Sequence, residues 1–171
     1  MGTGQMLITL AALVLLSLVV LRVTNGFLNT NNVLMETKFG VLAVSLATSM
    51  VEEAMGKSFD ENTADSGVAN VYTDLSSIGP DGESYPNFND IDDFNNLSFS
   101  TYDTNLIQSR FAGMFSAEFI VKCRVGYIDP TNPEVYSSSK TWHKKFTVMV
   151  TTPSSKDTVE MSTIYSYFYY R

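Results

Sequence analysis

Residues Met6–Leu21 read MLITLAALVLLSLVVL, sixteen positions of Met, Leu, Ile, Val and Ala broken only by Thr9 and Ser17. A helix that is apolar all round has no face to offer to water. It must be covered by lipid or by copies of itself. At about 1.5 Å per residue the run covers about 24 Å, short of a hydrocarbon layer about 30 Å thick. Adding Met1–Gln5 and Val23 makes a marginal span. The usual addresses for such a segment fit poorly. No Lys or Arg precedes Arg22, so the basic start of a secretory signal is missing. As a permanent anchor, Arg22 would sit on the cytoplasmic side only with the N-terminus outward. The Met1-Gly2 start suggests myristoylation, but position 6 is Met where that pattern wants Ser or Thr.

Working outward, Arg22 is the single charge in residues 1–35, and the pattern beyond it stays helical. Met35, Phe39, Leu42, Leu46 and Met50 form one stripe of 3.6-residue period. Gly40, Ala43, Ser45, Ala47, Ser49 and Ala54 are interspersed, small enough to let helices approach closely. Gly56-Lys57 reads as a helix stop. The weak place is Asn25-Gly26 with Asn29-Thr30-Asn31-Asn32, all poor helix formers. The spacing predicts a kink or partial melting over 24–32 inside one long helix, with two helices joined by a loop as the alternative. The helical unit is therefore 1–57, with 1–24 as its apolar filament-core or membrane segment.

From Phe59 the period changes to two, which places a β-rich head in 58–171. Phe115–Tyr127 alternates Phe115, Ala117, Phe119, Val121, Cys123, Val125 and Tyr127 against mostly polar neighbours. One buried face follows, with Cys123 on it as a core thiol. Lys144–Thr151 and Thr158–Tyr170 are further strands, and Leu97–Tyr102 is a fourth candidate. Asp129-Pro130-Thr131-Asn132-Pro133 and Thr152-Pro153-Ser154-Ser155-Lys156-Asp157 are turns. The expected fold class is α+β, a long N-terminal helix packed against an antiparallel sheet.

Charge is divided unevenly. Residues 58–109 hold ten Asp or Glu and no Lys or Arg, which reads as an acidic, solvated loop region. Residues 110–171 hold eight basic and five acidic side chains. Acidic and basic parts that meet between neighbouring subunits would set register, with Lys144 and Lys145 on that contact. The net charge of −7 argues against a nucleic-acid partner.

Chemistry is sparse. The single histidine, His143, reads as an exposed strand-edge residue with no oriented partner. Gly2-Thr3-Gly4 is no phosphate loop. No cofactor is implied, and the chain is not expected to be an enzyme. Asp90, Asp92 and Asp93, with Asn89 and Asn95 nearby, offer oxygen ligands for Ca²⁺ without the glycine and distal Glu of an EF-hand. The aromatic run Tyr165, Tyr167, Phe168, Tyr169 and Tyr170 reads as strand packing.

An apolar segment that continues into an amphipathic helix and then a β-sheet head resembles type IV pilins and their pseudopilin relatives. The resemblance covers the first 55 residues by pattern and the head by class. It implies a structural subunit of an extracellular helical filament, whose core is a bundle of the N-terminal helices. The assembly residues would be Gln5, Met6, Leu7, Leu10, Leu13, Leu16, Val20 and Arg22, with Asn25 and Gly26 at the region where pilin helices often melt. Counted from Met1, the glutamate usual at the fifth position is replaced by Gln5, which offers a hydrogen bond in place of a charge. The family's short basic leader is not seen, and one cysteine cannot form its common disulfide. The implied partners are copies of the chain, the cytoplasmic membrane before assembly and the assembly machinery. In the bundle, Glu36 of a neighbouring subunit would answer Arg22. Two other readings use the same residues: a membrane-anchored extracytoplasmic binding domain with one span, and a minor pseudopilin of a secretion system.

Overall fold

The first half of the chain obeys helical chemistry without interruption. In the computed structural model, which describes residues 2–102, 117–155 and 157–170 and the side chains of all these except 65, 66, 169 and 170, helix α1 runs Thr3–Met55. The melting expected over 24–32 does not occur, and Asn25 and Gly26 lie inside continuous helix. Propagating an existing helix costs little per residue, so one glycine at about 1 kcal/mol does not break it. Thr24 and Thr30 also turn their hydroxyls inward, donating to the carbonyls of Val20 and Gly26 at 2.9 and 3.0 Å.

The chain divides into two compact units, Met1–Lys38 and Phe39–Arg171. That boundary lies within α1, earlier than the 57/58 border that the change of period suggested. The reason is burial. Every described residue of 2–38 is exposed, whereas Phe39, Ala43, Leu46, Ala47, Met50 and Ala54 are buried in the second unit's core. These six share one face at helical spacing. The expected stripe thus holds from Phe39 onward, while Met35 lies outside it. Ala43, Ala47 and Ala54 serve close approach to the head's own core. Phe39 meets Phe119 edge to face, with ring centroids 6.4 Å apart.

The sheet has five antiparallel strands: β1 Ser98–Ser100, β2 Ile120–Asp129, β3 Asn132–Tyr136, β4 His143–Thr151 and β5 Thr158–Ser166. Their order is β1-β2-β4-β5, with β3 folding back on β2. Registers such as Cys123↔Val148 and Val148↔Met161 line up buried Cys123 and Val148 with half-buried Met161 in one layer. The α+β architecture is as the sequence indicates. Details differ. β2 begins at Ile120; Ala117 and Phe119 are buried without being strand, and Phe115 and Ser116 lie outside the described residues. β5 stops at Ser166, and Tyr167–Tyr170 turn into a 3₁₀ helix because Tyr167 folds over Phe59 and Trp142.

The acidic region is not simply a solvated loop. It supplies Phe59, Leu75, Tyr85, Phe88, Ile91, Phe94 and Phe99 to the core. Short 3₁₀ turns at Glu61–Ser66, Tyr72–Asp74 and Asp92–Phe94 carry it across the head. Apolar anchors spaced several residues apart in polar sequence have no period to betray them.

β3 returns its Tyr136 over Gly126 of β2, where an added Cβ would lie 2.3 Å from the tyrosine ring. Arg124 covers the same ring at 4.1 Å from its centroid. Gly126→Ala is therefore expected to lower stability by about 1–3 kcal/mol. A reduced urea midpoint with unchanged slope would register it, and adding Tyr136→Ala should recover part of the loss.

Candidate functional site

Two features stand out against an otherwise ordinary head: an uncovered apolar helix and a buried charge cluster. On the helix, Met6, Leu7, Leu10, Leu13, Leu16 and Val20 are each between 56% and 68% exposed. Gln5 and Arg22 are exposed too. Phe27, Leu28, Val33 and Leu34 extend the same apolar surface past Arg22. Sequence reading missed these four because asparagines separate them. An 18-residue window of α1 has a mean hydropathy of 2.6, and none of it is buried.

Several hydroxyl residues of this segment are suited to apolar surroundings. Thr9 donates to Met6 O, Ser17 to Leu13 O and Thr37 to Val33 O, at 2.8–2.9 Å. A hydroxyl bonded to its own helix leaves no donor to be desolvated. The segment can be surrounded by lipid or by other helices without stranding those hydroxyls.

In the head, the side chain of Lys144 alternates into the core with Phe146, Val148 and Val150. Its ammonium is fully buried, 3.0 Å from Asp60 Oδ2 and 2.6 Å from Asp92 Oδ2, and it donates to Phe59 O at 2.7 Å. The Phe59 ring lies 4.3 Å away. Asp60 is also the N-cap of the Glu61–Ser66 turn, and accepts from the Ser76 and Asn62 amides. Burial works to raise the Asp60 pKa, but the Lys144 charge and these amides outweigh it and hold the carboxyl below its ordinary range. Burial raises the Asp92 carboxyl despite Lys144.

The expected intersubunit role of Lys144 is thus corrected, since it is enclosed within its own chain. Lys145 points the other way and pairs with Glu134 of β3 at 3.0 Å.

The three aspartates expected to share a cation are all buried, but they face different partners. Asp92 is taken by Lys144. Asp93 Oδ2 accepts from the Asn89 and Asp90 amides, and Asp90 Oδ1 from those of Asp92 and Asp93. Burial, with the charges of Asp92 and Asp93, pushes Asp90 up to about 7. As a trio, then, they do not converge.

His143 is half-buried, with Nδ1 2.7 Å from Ser166 Oγ across the β4–β5 pair. Cys123 is buried on the core face, where burial, with Glu53, pushes its thiol up to about 12. Such a thiol is not a nucleophile at neutral pH.

No family model, curated protein or solved structure matches this chain.

The buried cluster generates two expectations. Lys144→Met strands Asp60 and Asp92 and should cost about 3–5 kcal/mol in chemical denaturation. Asp60, with its folded pKa depressed below 3.8, stabilises the fold above that value and loses the contribution as pH falls through the folded pKa. The stability gap between the native chain and Asp60→Asn should therefore hold at neutral pH and shrink as pH is lowered below 3.8.

Proposed function

We propose that this chain is a non-enzymatic structural subunit that polymerises through its apolar N-terminal helix into an extracellular filament of the type IV pilus kind. The observation that carries this reading is the continuous helix whose residues 2–38 are all exposed. Monomeric soluble proteins do not leave apolar surface of that extent in water. A head-to-tail interface between identical subunits that does not close generates a helical polymer, and parallel packing of such helices would cover the surface. Before assembly the same segment would reside in the cytoplasmic membrane and be drawn from it by assembly machinery. Gln5, Met6, Leu7, Leu10, Leu13, Leu16 and Val20 would pack the bundle. Arg22 would be answered by Glu36 of a neighbouring copy, since a buried unpaired charge costs several kcal/mol.

The hydropathy of α1 also favours a second reading, in which the helix stays in the membrane and anchors the head as a binding domain.

Electron microscopy of sheared cell-surface material, with N-terminal sequencing of its main protein, separates the two. The filament reading expects thin fibres containing this chain. It also expects Leu13→Asp to abolish them while leaving the head's melting unchanged, because Leu13 lies outside the head unit. Recovery of the intact chain only from detergent-extracted membranes, without fibres, would favour the anchored domain.

A further inference from the structure

Three carboxylates come together in the head from segments far apart in sequence. Glu61 lies in the first turn of Glu61–Ser66. Asp81 lies in a loop whose flanking Gly79 and Gly82 adopt φ of 140° and 106°, a region that other residues rarely enter. Asp90 lies on a strand-like bridge to Ser58, where Ile91 N donates to Ser58 O at 3.0 Å. Each offers an oxygen, and the three oxygens lie within 4.8 Å of one another. Like charges at that separation repel unless something positive stands among them.

A second observation concerns Asp90 itself. It is 1% exposed, and while Oδ1 accepts two amides, Oδ2 is buried with no hydrogen-bond partner among the described residues. Among the described residues Glu61 Oε2 and Asn89 Oδ1 are in the same condition, as is Asp92 Oδ1 beside Lys144. Buried acceptors lacking donors are costly and uncommon in folded proteins. Two lysines of the head are engaged elsewhere. Lys144 is held by Asp60 and Asp92, and Lys57 donates to Phe88 O at 2.6 Å.

We propose that Glu61, Asp81 and Asp90 bind a calcium ion, which ties together three loops of the head. Calcium accepts about six to eight oxygens in irregular geometry, at roughly 2.3–2.6 Å, and uses carboxylate and amide oxygens alike. Magnesium demands a tighter octahedron and keeps its waters. Zinc and copper prefer imidazole or thiolate, and His143 and Cys123 are engaged away from these loops, against Ser166 and in the core. The site differs from the sequence-expected trio in keeping Asp90 and replacing Asp92 and Asp93 with residues 9 and 29 positions upstream of Asp90.

The test uses the whole chain in detergent, stripped with EGTA and titrated with CaCl₂ by calorimetry, alongside thermal melts. Saturable binding of one ion and a melting temperature raised by Ca²⁺ but not by equimolar Mg²⁺ are expected. Asp81→Asn, at an exposed position, should weaken the affinity on the order of tenfold or more, because ligand charge sets the dissociation constant over decades. Its melt in EGTA should equal or exceed that of the native chain, since a repulsive charge is gone. Absence of binding heat together with superimposed melts would overturn the proposal. So would Asp81→Asn binding Ca²⁺ as tightly as the native protein.

Discussion

The head is organised around one buried ammonium. Lys144 stands where the alternation of β4 calls for an apolar residue, and it holds two carboxylates from the acidic region. Removing three charged groups from water is expensive, and their attraction offsets that only when the geometry is good and the remaining valences are filled. Around Lys144 and Asp60 they are filled by the Phe59 carbonyl and by the Ser76 and Asn62 amides, with the Tyr127 hydroxyl 3.4 Å from Asp60, while Asp92 Oδ1 has no hydrogen-bond partner among the described residues. The consequence is positional. Residues 58–94 have little periodic structure, yet Asp60 and Asp92 fasten both ends of the stretch to the sheet. Once they are fastened, Phe59, Ile91 and Phe94 are delivered to the core.

Helix α1 answers to two different environments along its length. From Phe39 onward its buried face is built of alanines and a few large residues, so the backbone approaches the head's core closely. Before Phe39 every described residue of the helix is exposed. Its serine and threonine hydroxyls bond their own carbonyls, and its charges are confined to Arg22, Glu36 and Lys38. Those hydroxyls tolerate removal from water, as a lipid layer or a helical bundle requires. The two halves need no structural break, because helical hydrogen bonding is indifferent to what surrounds it.

The acidic character of residues 58–109 acquires a structural sense in the same way. Its carboxylates are shared out between capping of backbone amides, pairing with Lys144 and a group of convergent oxygens. Only the first use satisfies the acid with groups from the same stretch. The pairing with Lys144 draws its charge from elsewhere, since residues 58–109 contain no Lys or Arg.

What the sequence determined by itself was everything carried by a repeating pattern. The unbroken apolar run predicts a helix that must be covered. The stripe from Phe39 to Met50 predicts its buried face, and the alternations around Val121–Tyr127, Phe146–Val150 and Val159–Tyr165 predict three strands with Cys123 inward. Local periodicity is a property of neighbours, so it is legible without a fold. Tertiary structure alone decided the partners. A lysine at a core position of β4 looks like a surface charge until Asp60 and Asp92, more than fifty residues upstream, are placed against it. Asp90, Asp92 and Asp93 look like one ligand set until the chain turns each carboxylate toward a different neighbour. Asn25-Gly26 looks like a break until cooperativity carries the helix across it. Electrostatic pairing and coordination act through space, between residues whose separation along the chain carries no signal, and so they become definite only when the chain is folded.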